Sequence, residues 1–144
     1  MTHAVKAIIY SDDGRVLLQQ RDYAHGLIFS GCWTFFGGKV EVNESFRYAL
    51  QRELIEELGC VPGRMGDELF QWVWRYDNSS QNHYFPVHFE INEHALELNE
   101  GQAMSWFSFD ELQKVQLTPG IYENLSKVAN FLVLLPQIRQ QHRK

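Results

Sequence analysis

Short apolar segments separated by turn residues run through most of the chain, and one later segment has the period of a helix. The apolar segments are rich in β-branched and aromatic residues and predict strands. They span residues 4–10, 16–20, 33–36, 69–76, 83–91 and 104–107. Near the C-terminus, apolar residues recur at helical spacing at Ile121, Leu125, Val128, Ala129 and Leu132. Strands and helices mixed in this way predict an α/β fold, with helices packed against a mixed sheet.

Turn and capping residues suggest where these elements begin and end. The polar stretch 77–82 predicts a hairpin loop between two of the strands. Pro86 lacks a backbone N–H and predicts an edge or a bulge in the second of them. Between the third and fourth strands we expect a helix that has Asn43 as its N-cap and ends at Gly59. A further short helix is expected at 110–112.

Three carboxylates share one face of the helix that precedes Gly59. Glu53, Glu56 and Glu57 are spaced i, i+3 and i+4, so they lie side by side. They continue the apolar arc that begins at Phe46, so we expect them to point across the fold. Like charges at this spacing repel one another, and hard oxygen ligands suit Mg²⁺ or Mn²⁺. The pattern favours a divalent metal site, although a charge run is more often a solvated helix face.

Length, composition and charge exclude several classes of protein. With 144 residues, 44% of them hydrophobic, the chain 1–144 is expected to form one domain with its own core. The net charge of −5 argues against a protein that binds nucleic-acid polymers. No apolar run is long enough to span a membrane, and the first residues lack a signal-peptide pattern. Cys32 and Cys60 form no disulfide framework, so we expect buried thiols and a cytoplasmic location.

The segment 38–60 resembles the Nudix box. That box is a Gly, five residues, a Glu, seven residues, Arg-Glu, an aliphatic residue, any residue, Glu-Glu, any residue, and a Gly before an aliphatic residue. The matching residues are Gly38, Glu44, Arg52, Glu53, Leu54, Glu56, Glu57, Gly59 and Cys60. Only Cys60 departs from the pattern, where the family usually has an aliphatic residue. Beyond the box, the resemblance extends from the strand that ends at Arg21 to the loop, strand and short helix over 100–112.

This resemblance implies the Nudix fold, an α/β/α sandwich around a mixed β-sheet. It implies an enzyme that hydrolyses a nucleoside diphosphate linked to another moiety, with Mg²⁺ or Mn²⁺ as the cofactor. The lead-in Gly37-Gly38-Lys39 is similar to that of MutT-like members, which implies a nucleoside triphosphate substrate cleaved to a monophosphate and pyrophosphate. A nucleotide sugar or another diphosphate is the alternative substrate. A homodimer is common in the family.

The resemblance also assigns the candidate metal site and the general base. The metal ligands that it implies are Gly38, Glu53, Glu56, Glu57 and Glu100. Gly38 lets the backbone approach a metal or a phosphate closely, because a side chain there would be in the way. The general base is either a glutamate of the box or one on a distant loop. Glu100 is the candidate on that loop, as a base or as a further ligand, and Glu93 and Glu97 are weaker alternatives.

Other residues are expected to support the site or to contact substrate. Arg52 and Glu44 resemble the family's supporting pair, in which the arginine orients the catalytic glutamates. They lie eight residues apart, so they meet only if Glu44 bends back from the first turn. Arg21 and Lys39 are candidates for phosphate contacts, with surface cations as the alternative. Most of the aromatic residues are expected in the core, with one or two left to stack on a flat group. The aromatic candidates are Trp33, Phe35, Trp72, Trp74, Tyr84 and Phe85.

Two other functions are compatible with this fold. A Nudix domain can sense a nucleotide without turnover, but such domains usually lose acids of the box, and this chain retains all of them. An isomerase of isopentenyl diphosphate needs an exposed catalytic cysteine, whereas the surroundings of Cys32 suggest a structural role. The intact box therefore favours the hydrolase.

Overall fold

The computed structural model describes residues 2–90, 96, 98, 101 and 103–142, with side chains as far as residue 134. The loop candidates Glu93, Glu97 and Glu100 lie outside the described residues. The strands are β1 Thr2–Tyr10, β2 Val16–Gln20, β3 Trp33–Thr34, β4 Phe36–Lys39, β5 Gly63–Met65, β6 Phe70–Trp74, β7 Ser80–Phe89 and β8 Ala103–Phe107. The helices are α1 Phe46–Leu58, α2 Phe109–Leu112, α3 Pro119–Tyr122 and α4 Leu125–His142.

The described strands form one mixed sheet of eight, whose centre is the parallel pair β1 and β7. The other pairs among these strands are antiparallel. One side of β1 pairs with β7 along its whole length, and its other side is shared by β4 and β2. Beyond β2 the sheet continues into β8 and β3. The expected mixed α/β sheet is therefore confirmed.

Helices cover both faces of this sheet, and each face has its own hydrophobic cluster. On one face α1 contributes four buried residues, Ala49, Leu50, Leu54 and Leu58, which pack against alternate residues of β1 and β7. On the other face, Ile121 of α3 and Val128 of α4 pack against the intervening residues of β1 and β7, including Ile8 and Tyr84. Because side chains alternate along a strand, β1 and β7 supply both clusters.

The helix α1 begins later than its sequence predicted. Ser45, and not Asn43, is the N-cap, and its side chain accepts a hydrogen bond from the backbone N–H of Tyr48 at 3.1 Å. Asn43 lies in the turn before the helix with φ of 67°, a left-handed conformation that Asn tolerates better than most residues. The C-terminal expectation is confirmed, since Gly59 is left-handed and donates its N–H to Ile55 O at 2.9 Å.

Pro86 does not mark an edge, because it lies in the central strand β7. The carbonyl groups of Tyr84 and Pro86 accept hydrogen bonds from Leu69 and Gly66, so the ring nitrogen of Pro86 faces that same side. Along β7, Pro86 lies between the residues that pair with β6, 80–84, and those that pair with β5, 87–89. The missing N–H therefore interrupts no hydrogen bond of the ladder with β1. The expectation of an edge was wrong because a central strand can place a proline between two partners.

Three further features differ from those predicted: a helix boundary, a strand and the burial of the cysteines. The apolar periodicity from residue 121 is divided between α3 and α4, since buried Asn124 bonds back to the carbonyl of Gly120 at 2.9 Å. The short strand β5 was missed because its sequence begins with Gly63, directly after a proline. Cys32 and Cys60 are free but half-buried rather than buried. In the described part of the chain, no helix combines the length and apolarity needed to cross a membrane.

Candidate active site

A gap opens in the sheet where β1 changes its neighbour. Ile9 pairs with Leu17, a register that would bring Gln19 opposite Ala7. Ala7 pairs instead with Phe36 of β4, and the end of β2 diverges to pair with β3. The gap between the diverging strands exposes backbone and side-chain groups from both faces of the sheet.

Glu57, near the end of α1, is buried at this gap. Its side chain is 2% exposed, and its two oxygens accept hydrogen bonds from Gln19 Nε2 at 2.5 Å and from the backbone N–H of Gly37 at 3.0 Å. Burial raises the pKa of Glu57 to about 7, while the two hydrogen bonds and the charge of Lys6 oppose that rise. A carboxyl group held this way exchanges a proton near neutral pH.

Glu53 lies one turn earlier on the helix and packs directly on Gly38. A Cβ at Gly38 would come within 2.4 Å of the Glu53 carboxyl carbon, so any other residue would displace that carboxylate. The preceding Gly37 has φ of 146°, and a Cβ there would meet Val5 O at 2.0 Å. The two glycines therefore let β4 pair with β1 at Gly37 while the Glu53 carboxylate packs on Gly38.

Arg52 connects the helix to the loop before it. Its Nε and Nη2 donate to the two oxygens of Glu44 at 2.7 and 2.9 Å, and Nη2 also donates to Lys39 O at 3.0 Å. Glu44 precedes the first turn of α1 and does bend back, accepting a further bond from the Glu41 N–H. The paired hydrogen bonds hold the pKa of Arg52 above and that of Glu44 below its usual value. The contact expected between Arg52 and Glu44 is present.

Arg52 also contacts the carboxylates on its own helix. Its Nη1 donates to Glu53 at 3.0 Å and to Glu56 at 3.3 Å. Glu56 is half exposed, whereas the Glu53 side chain is 16% exposed. The three carboxylates therefore share one helix face, where Glu53 and Glu56 share Arg52 as a partner and Glu57 bonds to Gln19 and Gly37 instead.

The donor set has the chemistry of a hard divalent cation site. Among the residues that the structure describes, no group of three or more His, Cys, Asp or Glu side chains is arranged closely enough to hold a metal ion. Arg52 holds Glu53 and Glu56, while Gln19 and Gly37 hold Glu57. Carboxylate oxygens beside a glycine that leaves backbone accessible nevertheless fit Mg²⁺ or Mn²⁺ better than softer metals.

Two adjoining cavities lead from Glu57 to the opposite face of the sheet. The smaller, of about 570 Å³, is lined by Glu57, Gln19, Gly37 and Gly101. The larger, of about 800 Å³, is open to solvent and continues to the β6–β7 hairpin and α3. Lys6, Arg21, Thr34 and Phe35 line both cavities, so the two form one continuous cleft. The larger part alone has the volume of a typical small-molecule site.

The cations that face this cleft come from strands β1 and β4 and from the residue that directly follows β2. Arg21 lines both cavities, and its Nε donates to Ile28 O at 3.1 Å. Lys39 lines the larger cavity only. Lys6 was missed by the sequence analysis, although one lysine inside an apolar strand was a usable signal. Burial lowers the pKa of Lys6, and the charge of Glu57 opposes that change.

Of the six aromatic candidates, three line the larger cavity and three pack in the core. Trp74, Tyr84 and Phe35 line the cavity, although Tyr84 and Phe35 are otherwise buried. Trp33 packs edge-on against Phe107. Phe85 lies in the cluster under α1, and Trp72 in the cluster on the opposite face.

The chain matches a known protein family over most of its length. The model of the NUDIX domain family matches residues 2–128. This chain belongs to the Nudix family. The family match agrees with the mixed sheet, and the expected Nudix fold is confirmed.

Relatives and solved structures support the same assignment. The CTP pyrophosphohydrolase of Escherichia coli K12 is 36% identical over 115 residues, 80% of this chain and 82% of that protein. The 8-oxo-dGTP diphosphatase of Haemophilus influenzae is 31% identical over 132 residues, 87% of this chain and 92% of its own. The crystal structure of a MutT NUDIX hydrolase from Burkholderia pseudomallei has a TM-score of 0.74 at 28% identity, covering 88% of this chain and 97% of that one. The chain is a Nudix pyrophosphohydrolase, as its box predicted.

Proposed function

We propose that this Nudix enzyme is a divalent-metal-dependent hydrolase that cleaves a nucleoside triphosphate into a nucleoside monophosphate and pyrophosphate. The observation that carries the proposal is the continuous cleft, which joins Glu57 of α1 to a cavity large enough for a nucleoside. Two relatives named for triphosphate substrates, CTP and 8-oxo-dGTP, support this substrate class.

Glu53, Glu56 and Glu57, with the backbone of Gly38, would hold Mg²⁺ or Mn²⁺. A bound divalent cation supplies neutralisation of phosphate charge and a lowered pKa for attacking water. Arg52, anchored by Glu44, would orient Glu53 and Glu56 by donating to both. Its contacts extend across the site, so it would fix the geometry of the carboxylates rather than touch substrate.

The proton from water would pass to a carboxylate of the site. Glu57, buried at the gap in the sheet, is one candidate within the described residues. Glu100 remains the candidate from the distant loop, and its sequence neighbour Gly101 lines the same cavity as Glu57.

Lys6, Arg21 and Lys39 would contact the phosphates. Lys6 and Arg21 line both parts of the cleft, so they lie between the carboxylates and the larger cavity. A polyphosphate that spans the two cavities would pass these cations, and cations there stabilise charge on the transferring phosphoryl group.

Product analysis with a panel of substrates tests the proposal. The panel contains nucleoside triphosphates, nucleotide sugars, ADP-ribose and dinucleoside polyphosphates, each with Mg²⁺ or with EDTA. We expect Mg²⁺-dependent formation of a monophosphate and pyrophosphate from one or more triphosphates. Turnover of nucleotide sugars alone would contradict the substrate class, and turnover that persists in EDTA would contradict the metal requirement.

A further inference from the structure

The larger cavity has a polar wall that belongs to the β6–β7 hairpin. Trp74 and Asp77 stand at its outer end, where the indole Nε1–H of Trp74 donates to Asp77 Oδ1. The same oxygen accepts the backbone N–H of Asn78 at 2.7 Å. These bonds fix the carboxylate beside the indole ring. They leave acceptor positions of the carboxylate open, since an ionised carboxylate can accept about four hydrogen bonds. Trp74 thus presents a ring to the cavity next to a fixed acceptor.

The inner end of the same wall presents a donor. Asn82 is 4% exposed and lines the cavity, and its Oδ1 accepts the hydroxyl of Ser80 at 3.1 Å. This bond orients the amide so that its NH₂ group faces Tyr84, whose hydroxyl it contacts. Gly120 of α3 makes room there, because a Cβ would lie 2.6 Å from the Tyr84 hydroxyl.

The acceptor and the donor lie at opposite ends of the wall. Asn82 pairs with Trp72, and Ser80 pairs with Trp74, closer to the hairpin loop that carries Asp77. Two residues of strand span about 7 Å, so the two polar groups are separated along the wall rather than adjacent. A flat ring stacked on Trp74 can therefore meet both groups with different edges.

We propose that Asp77 and Asn82 select the base of the nucleotide, and that the base selected is cytosine rather than uracil or thymine. The inference rests on the proposed function for its phosphate end and goes beyond it in naming the base. Asn82 donates to the O2 carbonyl, which all three pyrimidines share. Asp77 accepts from the exocyclic N4 amine, which cytosine alone possesses.

The discrimination comes from Asp77. Its carboxylate is held ionised, because the hydrogen bonds from Trp74 and Asn78 and the charge of Arg21 lower its pKa. An ionised carboxylate only accepts hydrogen bonds, and the O4 of uracil or thymine is also only an acceptor. A pyrimidine with O4 at that position would face acceptor against acceptor, so the exposed Asp77 carboxylate disfavours it relative to one with an N–H.

The test compares Asp77→Asn with the wild-type enzyme. The introduced amide keeps an oxygen to accept the Trp74 N–H, but its NH₂ group can also donate to O4. We expect the wild-type kcat/KM for CTP to exceed that for UTP by at least about tenfold, and the variant to reduce this ratio to within about threefold of one. Asp67→Asn, which makes the same change at an exposed carboxylate, is the matched control and should leave the ratio unchanged.

A binding measurement separates this inference from the proposed function. CMP and UMP are titrated against tryptophan fluorescence without metal, so the result does not depend on turnover. Tighter binding of CMP that Asp77→Asn abolishes supports the base assignment, even if no triphosphate is hydrolysed. Equal binding of the two by the wild-type protein, binding of neither, or an unchanged preference in the variant would overturn it. Hydrolysis of triphosphates together with such a result would leave the proposed function standing.

Discussion

At the scale of single residues, Glu57 combines the properties that the proposed chemistry requires. The box spacing predicted that it points across the fold, and the structure buries it against Gln19 and Gly37. Its partners are a side chain of β2 and a backbone group of β4, which diverge at this point of the sheet. The position of Glu57 in the box was predictable, but its burial at a gap in the sheet was not.

Glu57→Gln should remain folded and lose at least about a hundredfold in turnover, because a neutral amide neither binds a hard cation well nor accepts a proton. Steady-state kinetics and circular dichroism measure the two effects. Glu41→Gln, an exposed acid in the loop before α1, is the matched control. Near-normal activity in a well-folded Glu57→Gln protein would contradict the role assigned to this carboxylate.

The pKa of Glu57 also predicts how stability depends on pH in EDTA. Since burial raises this pKa from 4.5 to about 7, the folded state binds the proton more tightly than the unfolded state. Its contribution to stability is therefore fully present below about pH 4.5 and is lost as the pH rises through 7. Melting temperatures between pH 5 and 8 should fall more for the wild-type protein than for Glu57→Gln, which cannot titrate there. Parallel curves for the two proteins would contradict this prediction.

At the scale of elements, Arg52 in the middle of α1 ties the helix to the loop that precedes it. Glu44 precedes the helix, yet Arg52 donates hydrogen bonds to Glu44 from two nitrogens and another to Lys39 O. One arginine therefore joins the end of β4, the intervening loop and the helix that carries the carboxylates. The spacing of the box predicted the two partners, whereas the contact to Lys39 depends on the path of the chain between them.

Arg52→Ala should lower both the activity and the melting temperature, the latter by a few degrees, because Glu44 loses its partner and the helix loses its link to the loop. Arg52→Lys is the informative comparison, since a lysine keeps the charge but cannot form the paired hydrogen bonds. We expect Arg52→Lys to recover only part of the activity. Thermal unfolding and kinetics that match the wild type in Arg52→Ala would refute the supporting role.

At the scale of the whole molecule, the cleft exists because elements far apart in sequence meet behind the sheet. Tyr84 of β7 and Gly120 of α3 form its floor, and the β6–β7 hairpin forms one wall. Glu57 of α1 reaches the cleft from the opposite face, through the gap between β2 and β4. In the proposed function, the sheet therefore separates the phosphate chemistry from the recognition of the base.

Gly120→Ala should weaken nucleotide binding more than it slows turnover, because the added methyl group would press on the Tyr84 hydroxyl at 2.6 Å. We expect KM to rise at least about fivefold, with kcat changed less than about twofold. The double variant with Tyr84→Phe removes the clashing oxygen and should recover part of the affinity if this clash is the cause. An additive loss in the double variant would point to a different cause.

The sequence by itself determined the family, most strands and the set of acidic residues. Periods of two and 3.6 residues are local properties, and the Nudix box has fixed spacing, so both are visible without a fold. The boundaries that were wrong depended on partners distant in sequence. Ser45, and not Asn43, is the N-cap of α1. Pro86 lies in a central strand because its ring nitrogen faces the interruption between β6 and β5, where no N–H is needed.

Only the tertiary structure decided how these residues form a site. The split of β1 between two neighbours, the burial of Glu57 in that gap and the cavity behind the sheet all arise from pairing between distant strands. Gln19, Asp77 and Asn82 carried no motif, because their environment comes from elements that no local pattern connects to them. Local pattern fixes which side chains share a helix face or a strand face, while long-range pairing fixes which of those faces meet.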